Sequence, residues 1–165
     1  PVTPSRKSNQ IQGSLFDFFV EESTGEEKNS THLTLKDLKY TYKLIEKEED
    51  ISNLIAVLKN AQTVCIDTET TGTNAIDAEI VGISFAIEEN SAYYVHLPRK
   101  REEAQKIIDS LRTIFEDDTI TKVGQNMKYD MTVLSNYGVE LKGKMFDTMI
   151  AHYLLQPELP VQIHS

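Results

Sequence analysis

Apolar and polar positions alternate along the chain in patterns that predict an α/β protein from about residue 38 onward. Apolar residues spaced for one helix face predict helices over 48–60 and 101–115. Short apolar or alternating runs predict strands over 40–45, 63–70, 79–87, 91–97, 121–126 and 140–146. Two further helices are predicted over 127–138 and 148–155.

Turn and cap residues organise these segments into a mixed sheet. Three residues separate the strands 79–87 and 91–97, a spacing typical of an antiparallel hairpin. Gly138 is expected to cap one helix, and Asp147 is expected to be the N-cap of the helix that Pro157 ends. Because strands and helices alternate in the later half, we expect an α/β fold with a mixed sheet and helices on both faces.

The first 37 residues differ from the rest and predict a linker or tail that follows a preceding domain. They are rich in polar residues and show no sustained apolar period, whereas 38–165 predicts one domain. Gln12, Leu15 and Phe16 interrupt the tail, and they resemble the Gln-x-x-Leu-Phe peptides that bacterial replication proteins insert into the sliding clamp. The alternative is that these aromatic residues dock on the domain itself.

Composition restricts the class of protein without choosing a function. The 165 residues suit one domain, and the net charge of −9 argues against nucleic-acid binding through a basic surface. It leaves open an enzyme that holds phosphates through bound cations. Without a long apolar run or a leader, we expect no membrane partner and a cytoplasmic location. The single cysteine, Cys65, excludes an internal disulfide and is expected to be a buried small hydrophobe.

The segment from Val64 to Gly72 contains the first candidate site. Val64-Cys65-Ile66 predicts a strand buried on both faces, and it leads directly into Asp67-Thr68-Glu69. Since side chains alternate along a strand, Asp67 and Glu69 share one face. Two neighbouring carboxylates repel each other unless a cation lies between them, and carboxylate oxygens suit Mg²⁺ or Mn²⁺. The alternative is a solvated strand end with two surface acids.

A second candidate carboxylate, Asp130, lies at the start of the predicted helix after the strand 121–126. It could join the acids of the first segment at a metal site. Alternatively, it could interact only with the dipole of its own helix, because acidic side chains stabilise the first turn. The position of Asp130 by itself does not decide between these roles.

Four segments together resemble one family. They resemble, in the same order, segments of the proofreading 3′→5′ exonuclease domain of bacterial DNA polymerase I. The four segments are Cys65-Ile-Asp-Thr-Glu-Thr, Ile80-Val-Gly-Ile-Ser-Phe-Ala-Ile, Val123-Gly-Gln-Asn-Met-Lys-Tyr-Asp and Phe146-Asp-Thr-Met. Each segment is short, but four in order are specific. The resemblance covers about residues 41–158.

This resemblance implies a ribonuclease H-like fold and two-metal hydrolysis of 3′-terminal DNA phosphodiesters. By this resemblance, Asp67, Glu69 and Asp130 are catalytic and bind two divalent ions, Mg²⁺ or Mn²⁺. Asn126 and Tyr129 match positions that contact DNA, although partial burial against the helix is an equal alternative for Tyr129. The implied partners are the single-stranded 3′ end of DNA, a polymerase domain in the same parent chain and the sliding clamp.

The sequence departs from the family at a third motif, Tyr-x-x-x-Asp, which supplies a further metal-binding carboxylate. None of the seven tyrosines is followed by aspartate at the fourth position. We therefore expect an incomplete domain, truncated at the C-terminus, that alone binds metal weakly and cleaves DNA poorly.

Two other functions remain open at this point. One is a non-catalytic exonuclease-like module that supports a polymerase or binds DNA, and the other is a freestanding exonuclease for RNA or oligonucleotides. The retention of Asp67, Glu69 and Asp130 favours an active enzyme over a degenerate module.

Overall fold

A computed structural model describes residues 40–157, and its elements follow the sequence pattern closely. The strands are β1 (Thr41–Ile45), β2 (Thr63–Thr70), β3 (Ile80–Glu88), β4 (Ser91–His96), β5 (Thr121–Gly124) and β6 (Met145–Asp147). The helices are α1 (Glu48–Lys59), α2 (Arg101–Phe115), α3 (Met127–Ser135) and α4 (Thr148–Leu155). The predicted clamp peptide, with Gln12, Leu15 and Phe16, lies outside the described residues.

The six strands form one mixed sheet with the order β1-β4-β3-β2-β5-β6. Strands β3 and β4 pair as the antiparallel hairpin that the sequence predicts, and β2 is antiparallel to β3. The remaining pairs, β1 with β4, β2 with β5 and β5 with β6, are parallel. The predicted α/β class and mixed sheet are confirmed. This order places β2 inside the sheet, between β3 and β5.

The hydrophobic core lies against one face of this sheet. Val64 and Ile66 of β2 are buried there, and Phe85 of β3, which pairs with Ile66, continues the same face. Helices α1, α2 and α3 contribute to the same core cluster, in which the residues from these helices include Leu54, Leu58, Ile108, Leu111, Val133 and Leu134. Burial of this many apolar side chains is the main term that stabilises the fold.

The prediction that β2 is buried on both faces is wrong. Along β2 the buried residues alternate with more exposed ones, and Cys65 is exposed rather than buried. Three consecutive apolar residues suggested a strand covered on both sides, but within residues 40–157 the helical core covers only the Val64 and Ile66 side. The more exposed face of β2 is the one that carries Asp67 and Glu69.

The last strand is shorter than predicted, because Gly143 breaks the segment 140–146. Gly143 adopts a φ of +89°, and a Cβ there would lie 2.7 Å from the carbonyl oxygen of Ile120. The backbone becomes extended again only at Met145. Gly138, predicted as a cap, does adopt a left-handed φ of +71° after α3. Among the described helices, none is long and apolar enough to cross a membrane.

Candidate active site

The end of β2 presents two carboxylates on one face of the sheet. Asp67 pairs with Ser84 of β3 and Glu69 pairs with Gly82, so both acids project from the face opposite Val64 and Ile66. The pairing register shifts between Glu69 and Thr70. Such an irregularity redirects the side chains at a strand end, and bulges are common next to active sites.

Asp130, in the first turn of α3, reaches β2 from the side. Its side chain is 4% exposed, and its Oδ1 accepts hydrogen bonds from the Thr68 amide at 3.1 Å and from the Thr68 hydroxyl at 2.5 Å. The structure therefore places Asp130 against β2, close enough to Asp67 for its charge to raise the Asp67 pKa. A purely local interaction with the helix dipole does not account for these bonds to a strand 62 residues earlier.

Two of these acids, Asp67 and Asp130, are harder to ionise than free aspartates because both are at least partly buried. Burial, followed by the charges of Asp130 and Glu69, raises the pKa of Asp67 to about 7. Burial also raises the pKa of Asp130 to about 6, although the two hydrogen bonds from Thr68 oppose this rise. Asp147, whose negative charge adds to the increase, is also near Asp130.

The donor chemistry of this cluster fits a divalent cation. A positive charge would favour the ionised form of Asp67, whose pKa is raised by burial and by the charges of Asp130 and Glu69, and Mg²⁺ or Mn²⁺ prefers oxygen ligands. Within residues 40–157, however, no three His, Cys, Asp or Glu side chains converge as a complete metal site. Asp67 and Glu69 would hold such an ion directly, with water or substrate as further ligands, and Asp130 would act from the edge of β2.

The N-terminus of α3 is fixed by a carboxylate from β6. Asp147 accepts hydrogen bonds from the amides of Asn126 at 3.1 Å and Met127 at 2.8 Å. It also accepts from Met149 at 2.9 Å and Ile150 at 3.4 Å, which confirms its predicted role as the N-cap of α4. Asn126 itself has a left-handed φ of +57°, a conformation that is uncommon outside glycine.

Comparison with known proteins shows the family to which this chain belongs. A family model described as a 3′-5′ exonuclease matches residues 42–165. The chain belongs to this 3′-5′ exonuclease family. The DNA polymerase I of Borreliella burgdorferi is 31% identical over 165 residues, which cover 98% of this chain and 18% of that protein. The DNA polymerase I of Pseudomonas aeruginosa is 37% identical over 106 residues, covering 59% of this chain and 12% of that protein.

The chain therefore spans less than a fifth of the length of these relatives. Two solved structures share its fold at low sequence identity. RNase D of Trypanosoma brucei superposes with a TM-score of 0.60 and 17% identity, over 72% of this chain and 41% of that one. Brucella melitensis NrnC with bound Mg²⁺ superposes with a TM-score of 0.57 and 19% identity, over 74% of this chain and 56% of that one. The expected ribonuclease H-like architecture is confirmed.

Of the two residues predicted to contact DNA, Tyr129 forms hydrogen bonds with other residues of this chain. Its hydroxyl lies 2.6 Å from Thr70 Oγ1 and donates to the Gly72 carbonyl, which joins α3 to the loop after β2. The side chain is partly buried against the core, as the structural alternative anticipated. Asn126 is partly exposed at the start of α3. A DNA-binding role for either residue stays a prediction.

Sequence reasoning missed Tyr94, which lies across the same sheet face. The Tyr94 hydroxyl occupies the space beside Gly82, only 2.0 Å from where a Cβ on that glycine would be. Gly82 pairs with Glu69, and burial, followed by the charge of Glu69, raises the pKa of Tyr94. A glycine inside the strand-like run 79–87 was the available signal, because such a glycine often marks the close approach of another group.

Proposed function

We propose that this chain is the exonuclease module of a DNA polymerase I, and that it removes nucleotides from the 3′ end of DNA by metal-dependent hydrolysis. The observation that carries this proposal is the pair of carboxylates, Asp67 and Glu69, on one face at the end of β2, with Asp130 of α3 close enough to Asp67 to raise its pKa. Membership of the 3′-5′ exonuclease family gives the direction of the reaction. The polymerase I relatives supply the wider context.

Each acid has a distinct position and therefore a distinct task. Asp67, whose pKa is raised to about 7 by burial and by the charges of Asp130 and Glu69, would contact both metal ions. Glu69, one pleat further along β2, would hold the ion that faces the attacking water. Asp130 would act from the edge of the site, since Thr68 already occupies its Oδ1. Two bound ions about 4 Å apart would stabilise the attacking and leaving oxygens of an in-line displacement.

The substrate in this proposal is the single-stranded 3′ end of DNA. Asn126 and Tyr129, at the start of α3, would contact that strand beside the acids, and apolar or aromatic side chains would stack on its terminal bases. The net charge of −9 fits a strand held by cations in the site rather than by a basic surface. A polymerase domain in the same polypeptide would deliver the strand to this site, and the reaction would take place in the cytoplasm. Gln12, Leu15 and Phe16 would bind a sliding clamp.

A 3′-labelled single strand of DNA tests this function directly. Degradation with Mn²⁺ should be measured for this chain, for its Asp67→Ala variant and for the full polypeptide encoded by the gene. We expect stronger degradation by the full polypeptide, which Asp67→Ala abolishes, because the third motif is absent from the present 165 residues. A full polypeptide that binds the strand without degrading it would instead identify a non-catalytic module.

A freestanding RNA exonuclease is the second candidate, and the fold shared with RNase D of Trypanosoma brucei is the observation in its favour. That likeness, at 17% identity, carries only the fold. An RNA strand of the same sequence distinguishes the two functions. Faster removal of nucleotides from RNA than from DNA would replace the proofreading role with RNA processing.

A further inference from the structure

Asp147 makes more contacts than the cap of one helix requires. An N-cap side chain ordinarily accepts from the second or third amide of its own helix, and Asp147 does so through Met149 and Ile150 of α4. Its carboxylate also accepts from Asn126 and Met127, which lie 20 or more residues earlier in the chain. One side chain thus satisfies amides at the N-termini of two helices.

The link to α3 is made at the point where that helix begins. Asp147 Oδ2 accepts a hydrogen bond from the Met127 amide at 2.8 Å, and Asp147 Oδ1 accepts one from the Asn126 amide at 3.1 Å. Asn126 has the left-handed φ of +57°, which carries a conformational cost that the surrounding contacts must offset. Because Asp130 is only three residues after Met127, the same turn of backbone that Asp147 holds also sets the position of Asp130.

Strand pairing and a second side chain reinforce this junction. Asp147 pairs with Gly124, the last residue of β5, so the ends of β5 and β6 lie side by side immediately before the two helices. The neighbouring Thr148 donates its hydroxyl to the Gly124 carbonyl at 3.2 Å. The junction therefore has little freedom to shift while Asp147 is in place.

We propose that Asp147 is a positioning residue of the exonuclease site, which holds Asp130 against β2 by fixing the first turn of α3 to the start of α4. This inference rests on the proposed function, since it assigns Asp147 a role in the reaction of Asp67, Glu69 and Asp130. Asp147 acts through Asp130 and does not itself touch the substrate.

The decisive variant is Asp147→Ser in the full polypeptide. Serine is as good an N-cap as aspartate, so it retains the cap of α4. Its single, short hydroxyl cannot also reach both amides of α3. The matched control is Asp117→Ser, because Asp117 likewise accepts from a backbone amide, that of Thr119 at 2.9 Å, in a turn after α2.

We expect Asp147→Ser to lower kcat for single-stranded DNA by 10- to 100-fold with little change in KM, because a displacement of about 1 Å at a reacting group can cost about 100-fold. The Mg²⁺ concentration for half-maximal cleavage should rise as well. Asp117→Ser should leave kcat, KM and the Mg²⁺ requirement near those of the wild type. Thermal unfolding of both variants separates this effect from lost stability.

The outcomes distinguish this inference from the proposed function. If Asp147→Ser keeps the kcat and Mg²⁺ requirement of Asp117→Ser, Asp147 is only a helix cap and the inference is overturned. If the wild type shows no metal-dependent cleavage, the proposed function fails and the inference fails with it. Should Asp147→Ser not fold, Asp147→Asn, which keeps one acceptor oxygen, must give a partial loss of kcat, and an unchanged kcat would refute the positioning role.

Discussion

Replacing Thr68 with valine removes one of the two hydrogen bonds that Asp130 accepts from β2 and changes little else. The two side chains have similar shape, and the Thr68 amide still donates to Oδ1. What disappears is the 2.5 Å bond from the hydroxyl to a carboxylate that is 4% exposed. A hydrogen bond to a charged group contributes about 1.5–3 kcal/mol, whereas one between neutral groups contributes about 1 kcal/mol.

The loss should therefore depend on pH. Above the Asp130 pKa of about 6 the bond is to a carboxylate, and we expect Thr68→Val to lower the free energy of unfolding by about 2 kcal/mol. At pH 5, where Asp130 is largely protonated, the expected loss is about 1 kcal/mol. The variant should also raise the Asp130 pKa further, because the lost bond favoured the ionised form.

Urea unfolding, followed by circular dichroism in EDTA at pH 5 and pH 8, measures both values. Thr68→Ser is the control: it keeps the hydroxyl and removes one buried methyl group, which costs about 1 kcal/mol at either pH. An equal loss for Thr68→Val at the two pH values would show that the hydroxyl does not bind the ionised carboxylate. The reasoning about the Asp130 environment would then be wrong.

Three further predictions concern stability and the sheet face that carries the acids. The folded-state pKa of Asp67 is raised from 3.8 to about 7, so the metal-free chain should become less stable as the pH rises through that window, by up to about 4 kcal/mol. Mg²⁺ should recover this stability at pH 7.5. Thermal unfolding that is insensitive to both pH and Mg²⁺ would contradict this prediction. Gly82→Ala should displace the Tyr94 ring and reduce DNA cleavage, because the new methyl group would overlap the Tyr94 hydroxyl. Adding Tyr94→Ala should remove this overlap, so the double variant should melt at a higher temperature than Gly82→Ala alone. Phe85→Ala should cost about 3–5 kcal/mol in urea unfolding, because Phe85 is fully buried against Phe115. The control Ile76→Ala, at a side chain that is 73% exposed, should cost less than about 0.5 kcal/mol.

Local pattern in the sequence was enough for most of the elements and for one cap. Helix α2 and strand β2 have the predicted bounds, and α4 begins directly after Asp147 as expected. These features depend on residues two to four positions apart, whose spacing decides which face is apolar and which amide a side chain can reach. The shared face of Asp67 and Glu69 follows from the same local rule.

The tertiary structure decided everything that depends on which strands are neighbours. Only the order β1-β4-β3-β2-β5-β6 places Tyr94 across Gly82 and beside Glu69. Likewise, Lys122 lies fully buried in β5 with its ammonium group donating to the Asp117 carbonyl, although a lysine in a short strand gives no local sign of burial.

The exposure of Cys65 and the capping of two helices by Asp147 are also features that only the tertiary structure decided. An apolar run does not reveal whether one or both faces of its strand are covered, and a cap motif does not reveal that a second helix begins within reach. Both depend on contacts between segments far apart in the chain, whose energies are set by the packing of the whole sheet rather than by neighbouring residues. The sequence alone determined the elements and the candidate acids, and long-range packing determined how those acids meet.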